Sequence, residues 1–217
     1  MSHLHPVPSG PSARHLVVVS AGLSEQSSST LLAGMLTEAA VAAHDGALEA
    51  RTTHVELRPL AHALTDALLT GFASGELAEA LAAVAGADAV IAVTPVHSAS
   101  YSALFKAFFD VLDAGALEGT PVLVAATAGT ARHSLVLDHA LRPLFGYLRA
   151  LVVPTGVFAA SEDWAGGSGE TALRQRVTRA AEQLVALVTA RPREERLDAF
   201  DRDVAAMGSF EDLLRRS

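Results

Sequence analysis

The chain has 217 residues, no cysteine and a formal net charge of −8; half of its residues are apolar and 18% are charged. This composition fits one compact domain with a large core, and it excludes disulfides, thiolate metal sites and cysteine nucleophiles. An acidic balance without basic, aromatic-interleaved patches argues against nucleic acid and anionic membranes as partners, and no apolar run reaches the roughly 18 residues that cross a bilayer.

Residues 1–14 are rich in Pro, Ser and Gly and read as a disordered tail. They contain no apolar signal-peptide core, so a cytoplasmic location is the expectation. A folded domain is expected over 15–190. Its first strand is Leu16-Val17-Val18-Val19-Ser20, followed by a polar stretch from Gly22 to Thr30 and a helix from about Leu31 to Ala43. Arg51 to Leu57 alternates apolar and polar residues and suits an edge strand. Pro59 to Gly86 is mostly helical, with a break marked by Gly71 and Gly75. A buried strand, Ala87–Val93, runs into the small-residue loop Thr94–Ser102, and a helix continues to Leu112. After a turn from Gly115 to Pro121, the buried strand Val122–Ala126 leads into a second small-residue loop, Thr127 to His133. Leu135–Leu148 reads as a helix whose hydrogen-bond ladder is disturbed at Pro143, which has no amide hydrogen. Leu151–Val153 and Val157–Ala159 together make a last strand, and Thr171–Thr189 is an amphipathic helix. Residues 191–217 form a charged extension with a short helix at Phe210–Arg215.

Continuous apolar strands alternating with helices are buried on both faces, which means a parallel sheet. The expected fold class is therefore α/β, a flavodoxin-like doubly wound five-stranded parallel sheet of order 2-1-3-4-5. In that order a ligand binds beyond the carboxyl ends of the strands at the switch point. The three small-residue loops follow the first, third and fourth strands, so they converge there.

The first loop carries hydroxyls at Ser24, Ser27, Ser28, Ser29 and Thr30 ahead of a helix. Hydroxyls, free amides and the helix dipole together would receive a phosphate; the plainer alternative is an ordinary N-cap, for which one Ser or Thr suffices. In the second loop, small residues let a flat heteroaromatic ring approach the backbone of Pro95–Ser100, while His97 also fits a surface loop and Tyr101 a core position. Thr127–Thr130 has the same small character and would face another part of the ring. Arg132 and His133 either reach a second ligand or are solvated. The chain has no GxxxxGK[ST], GxGxxG or GxSxG pattern, and His54, His62 and His139 lack metal-ligand spacing with acids. Asp110 and Asp113 read as a solvated helix edge.

Thr94-Pro95-Val96-His97-Ser98-Ala99-Ser100-Tyr101-Ser102-Ala103-Leu104-Phe105-Lys106 resembles the isoalloxazine loop and helix of the NAD(P)H-dependent FMN reductases that serve sulfonate-type two-component monooxygenases. Ala126–His133, followed by Leu137–Leu144, resembles that family's next loop and helix. The likeness runs over roughly residues 16–190. It implies a homodimer or homotetramer that binds FMN and reduces it with NAD(P)H, delivering reduced flavin to a flavin-dependent, luciferase-like monooxygenase. It also implies that Ser27, Ser29 and Thr30 hold the FMN phosphate. By the same resemblance, Pro95, Val96, His97, Ser98, Ala99 and Ser100 contact the isoalloxazine, and Thr127, Ala128, Gly129 and Thr130 contact the ring or ribityl chain. No catalytic side chain is implied, because hydride passes between the two bound molecules. Two positions depart from the pattern. Ser24 stands where many relatives carry an arginine, and His139 stands where some carry a tyrosine in a helix that bulges at a tetramer interface. The rival expectations are a flavodoxin-type electron carrier and an FMN-containing quinone or azo reductase.

Overall fold

The computed structural model describes residues 14–24, 26–44 and 51–190. The expected tail and the 191–217 extension with its Phe210–Arg215 helix lie outside the described residues, apart from Arg14, which forms an ion pair with Asp88 at 3.3 Å. The strands are β1 (Leu16–Ser20), β2 (Thr52–Glu56), β3 (Ala89–His97), β4 (Ser100–Tyr101), β5 (Pro121–Ala128), β6 (Leu151–Val152) and β7 (Val157–Ala160). The helices are α1 (Ser28–Ala43), α2 (Ala61–Thr70), α3 (Gly75–Ala85), α4 (Ala103–Asp110), α5 (Arg142–Tyr147) and α6 (Gly167–Ala190).

The sheet runs β2-β1-β3-β5, with β6 and β7 both pairing β5 in parallel at the far edge. This is the expected 2-1-3-4-5 order, with its fifth position split into two short strands. Pro154 lies at the split and cannot donate to a ladder. Beside it, the Thr155 amide donates instead to Gln183 Oε1 on α6 at 2.8 Å, and the Arg142 guanidinium donates to the carbonyls of Val153 and Pro154. The split edge is therefore satisfied by side chains rather than by a strand neighbour.

Alternation along β1 divides the core into two layers. Val17 and Val19 join a cluster with Leu64, Leu77, Phe105 and Phe145 from α2 to α5. Leu16 and Val18 join Leu32 and Leu36 of α1 and Leu173, Val177 and Leu184 of α6. Helices thus cover both faces, which is why β1 is buried along its whole length.

Three local readings change. The strand expected to stop at Val93 continues to His97, because β1 ends opposite Val93 and Pro95 faces a parallel neighbour only at Thr127 of β5. A proline is tolerated where a strand has lost one neighbour. The first helix begins at Ser28 rather than Leu31. The helix expected over Leu135–Leu148, with its ladder disturbed at Pro143, starts only after Leu135, and the disturbance is a π-helical turn, Leu137–Leu141, followed by α5 with Pro143 in its first turn. The wider turn accommodates the proline, which neither donates an amide nor fits the tighter ladder.

His15, at the base of β1, shares a 2.8 Å hydrogen bond with Thr53 Oγ1 of β2, and its amide donates to Asp88. Burial, reinforced by the Arg51 guanidinium, pushes its pKa below the ordinary 6.5, although Asp88 opposes the shift. The unfolded chain therefore takes up this proton first as pH falls. Stability should be complete above about pH 6.5 and decline below it, through the lowered folded-state pKa. Thermal melts from pH 7.5 to pH 5 should show this decline, and His15→Gln should flatten it; an equal decline in both proteins would rule the imidazole out as its source.

Candidate functional site

Because Ser20 lies opposite Val93 and Pro95 opposite Thr127, the loops leaving β1, β3 and β5 emerge side by side at the carboxyl edge of the sheet. One hydrogen bond fastens two of them. Ser29 Oγ and Thr127 Oγ1 are 2.8 Å apart, with both residues almost completely buried. These two predicted contact residues therefore brace the first loop against the third from the inside.

The first loop ends as the cap of α1. Ser27 is its N-cap, and its hydroxyl accepts the Ser29 amide at 3.1 Å. The first backbone bond of the helix is Leu31 N to Ser27 O. The amides of Ser28 and Thr30 thus remain in the open first turn, at the positive end of a 16-residue helix with no acidic residue there to compete. Gly22 makes this fold possible and was not among the residues singled out from the sequence. A Cβ there would sit 2.1 Å from Ser27 Oγ and 3.3 Å from Thr30 Oγ1. Its only sequence signal is its place between β1 and a hydroxyl-rich cap.

The second loop is a hairpin. β3 pairs antiparallel with β4 through Val96 opposite Tyr101 and His97 opposite Ser100. Ser98 (φ 49°) and Ala99 (φ 66°) make the two-residue turn, and both are exposed. Positive φ at both turn positions matches the twist of a hairpin, but it normally calls for Asn or Gly. Two L-residues with side chains therefore hold a strained turn at the tip of the site. Thr94, the first residue of the loop read from the sequence though not among its predicted contacts, closes the base of this hairpin. Its Oγ1 accepts the Ser102 amide at 3.0 Å and donates to the Pro95 carbonyl at 2.9 Å, while Ser102 caps α4. Tyr101 rests on Phe105 with ring centroids 6.0 Å apart.

In the third loop Ala128 is half-buried, whereas Gly129 and Thr130 are exposed. A 3₁₀ turn, Ala131–His133, follows. Pro95 and Val96 are half-buried and His97 is exposed, so the hairpin, like the third loop, presents backbone and small side chains at its surface. Apart from the His97 imidazole, none of the predicted contact residues carries an ionisable side chain. Such a surface can bind by amides, hydroxyls and van der Waals contact; it holds no acid–base pair of its own. Asp110, the acid expected at a solvated helix edge, pairs with Lys106.

Residues 14–165 match the model of a family described as NADPH-dependent FMN reductase. The chain belongs to this family. It is 40% identical over 172 residues to the NADH-dependent FMN reductase SfnE of Pseudomonas putida, covering 79% of this chain and 91% of that one. It is also 40% identical over 148 residues to an FMN reductase (NADPH) of Pseudomonas aeruginosa, covering 68% of this chain and 78% of the other. A crystal structure of an oxidoreductase from Corynebacterium diphtheriae superposes with a TM-score of 0.78 at 46% identity, covering 82% of this chain and 98% of that chain. The chain is accordingly an oxidoreductase, and its ligands are FMN and NAD(P)H.

The site fits FMN on its own donor set. An open helix N-terminus with hydroxyls suits the phosphate, and the hairpin and third loop offer neutral polar surface to a flat ring. One modest test of the turn follows. Ala99→Gly should raise stability by about 0.5–1 kcal/mol in urea unfolding, because relief of αL strain exceeds the added entropy of the unfolded chain. A loss of stability would mean that the turn is not strained as described.

Proposed function

We propose that this FMN reductase uses its flavin as an exchangeable substrate and releases it, reduced, to a flavin-dependent monooxygenase. The observation that carries this reading is the neutral character of the phosphate end. Ser27, Ser28 and Thr30 present hydroxyls and amides, and the described residues of the loop from Gly22 to Thr30 include no arginine or lysine, so this loop itself would hold a phosphate with neutral donors. Charge-assisted pairs are roughly twice as strong as neutral hydrogen bonds, and their absence favours an occupant that leaves. The SfnE name of one relative supports the same role.

In this scheme FMN, when bound, would supply the hydride acceptor and the reduced nicotinamide the hydride. The chain's own residues orient and enclose. The α1 cap would hold the phosphate end, and the Pro95–Ser100 backbone would contact the ring. Ser29 and Thr127 keep the first and third loops in register. The small side chains of these loops would leave room for the dinucleotide against the flavin, and holding two reactants in contact is itself a large rate factor. The exposed Leu135 and Tyr147, which precede and follow the π-helical turn, support assembly with a second copy of the chain.

Gel filtration of the protein loaded with FMN tests the release. The expected result is loss of flavin from the protein, together with product formation when the reductase, FMN and NAD(P)H are mixed with a monooxygenase that lacks its own reductase. Flavin that stays bound through the column, with electrons passed on to a protein or quinone acceptor, would instead identify an electron carrier or a quinone reductase.

A further inference from the structure

We propose that Arg132 is the phosphate receptor for the nicotinamide dinucleotide, an inference that rests on the reductase reading above. Arg132 lies in the turn Ala131–His133, four residues beyond the end of β5, and it is exposed. The strand end that leads into this turn is anchored to the α1 cap through Thr127 and Ser29, so Arg132 follows directly on the third of the predicted flavin loops. Three cations on the helices that follow β3, β5 and β7 are engaged. Lys106 pairs with Asp110, Arg142 with Asp138 and two carbonyls, and Arg176 with Asp163. Arg132 alone of these four forms no hydrogen bond or ion pair among the described residues.

A free guanidinium is informative in a chain of net charge −8 whose second substrate is a polyanion. The α1 N-terminus already offers neutral donors for one phosphate group. A planar fork of N–H donors matches a second phosphate in a bidentate manner, and it attracts an anion that the rest of the surface repels. The chemistry is shared by the dinucleotide's pyrophosphate and by the 2′-phosphate of NADP(H). The turn's small neighbours, Gly129 to Ala131, leave the side chain free to adapt to either.

Calorimetric titration of the FMN-saturated protein with NAD⁺ and with NADP⁺ tests this without turnover. Arg132→Ala should weaken binding about tenfold, as expected for loss of a charge-assisted pair, and Arg132→Glu should weaken it further. Arg132→Lys should recover part of the loss, while FMN affinity and thermal stability stay at wild-type values. A loss confined to NADP⁺ places the 2′-phosphate on Arg132; an equal loss for both nucleotides places the pyrophosphate there. Unchanged dinucleotide affinity in Arg132→Ala and Arg132→Glu, or a parallel loss of FMN affinity, would overturn the assignment. Wild-type protein that turns over FMN with either dinucleotide keeps the reductase reading intact whatever Arg132 does. In steady state, Arg132→Ala should raise KM for the dinucleotide and leave kcat unchanged.

Discussion

Gly22→Ala should raise the KM for FMN by about tenfold or more while leaving the KM for the dinucleotide near its wild-type value. The added methyl would lie 2.1 Å from Ser27 Oγ and 2.4 Å from Ser27 Cβ, so the cap residue must move. Moving it breaks the bond from the Ser29 amide, which costs about 1 kcal/mol of cap energy, and displaces the hydroxyl and amides offered to the phosphate. The forced displacement also strains a buried position, so a stability loss of about 1–3 kcal/mol should accompany the binding defect. Ser27→Ala separates the two effects. It removes the hydroxyl without a clash, and so should weaken FMN binding less and cost only the cap. Normal FMN kinetics in Gly22→Ala would show that the α1 cap does not hold the flavin phosphate.

Phe105→Ala should destabilise the protein by about 3–5 kcal/mol, the largest effect expected from a single core substitution. The ring is fully buried, with centroid distances of 4.8 Å to Phe109, 6.2 Å to Phe145 and 6.0 Å to Tyr101. A typical domain holds only about 5–15 kcal/mol in reserve, so the variant should unfold at much lower urea concentration. It should also loosen the site, because Tyr101 belongs to β4 and its loss of support frees the Ser98–Ala99 hairpin. Phe105→Leu, which keeps most of the volume, should cost about 1 kcal/mol and retain activity. A loss below about 1 kcal/mol for Phe105→Ala would mean that the aromatic cluster is not the keystone between α4, α5 and the hairpin.

Strand order was legible in the sequence because Leu16–Ser20, Ala89–Val93 and Val122–Ala126 are continuous apolar runs, and only a sheet covered on both faces buries such runs. Convergence of the three loops followed from that order. The hairpin within Thr94–Ser102 was not legible, because Ser-Ala is a poor signature for a turn with two positive φ angles and Pro95 argues against strand continuation. Nor were the different fates of Ser27, Ser28 and Ser29. Three adjacent serines look equivalent in sequence, but a helical step of about 100° makes one the cap, one exposed and one a buried partner of Thr127. Pro143 announced a disturbance without specifying its form, since a kink, a break and a π turn all relieve the same clash. Gly22 was passed over because its role depends on Ser27, five residues away, folding back against it.

These details meet in one functional consequence. A rigid parallel sheet fixes where three loops end, a buried hydroxyl pair ties two of them together, and we propose that the resulting surface recognises the flavin with neutral donors. The chemistry then needs a second ligand rather than a reactive side chain. Oxidation of NADH and NADPH, followed side by side as FMN is raised from zero, tests this most directly. The account predicts no oxidation without flavin, and with at least one nucleotide a rate that saturates as FMN fills the site. No FMN-dependent oxidation with either nucleotide would contradict it.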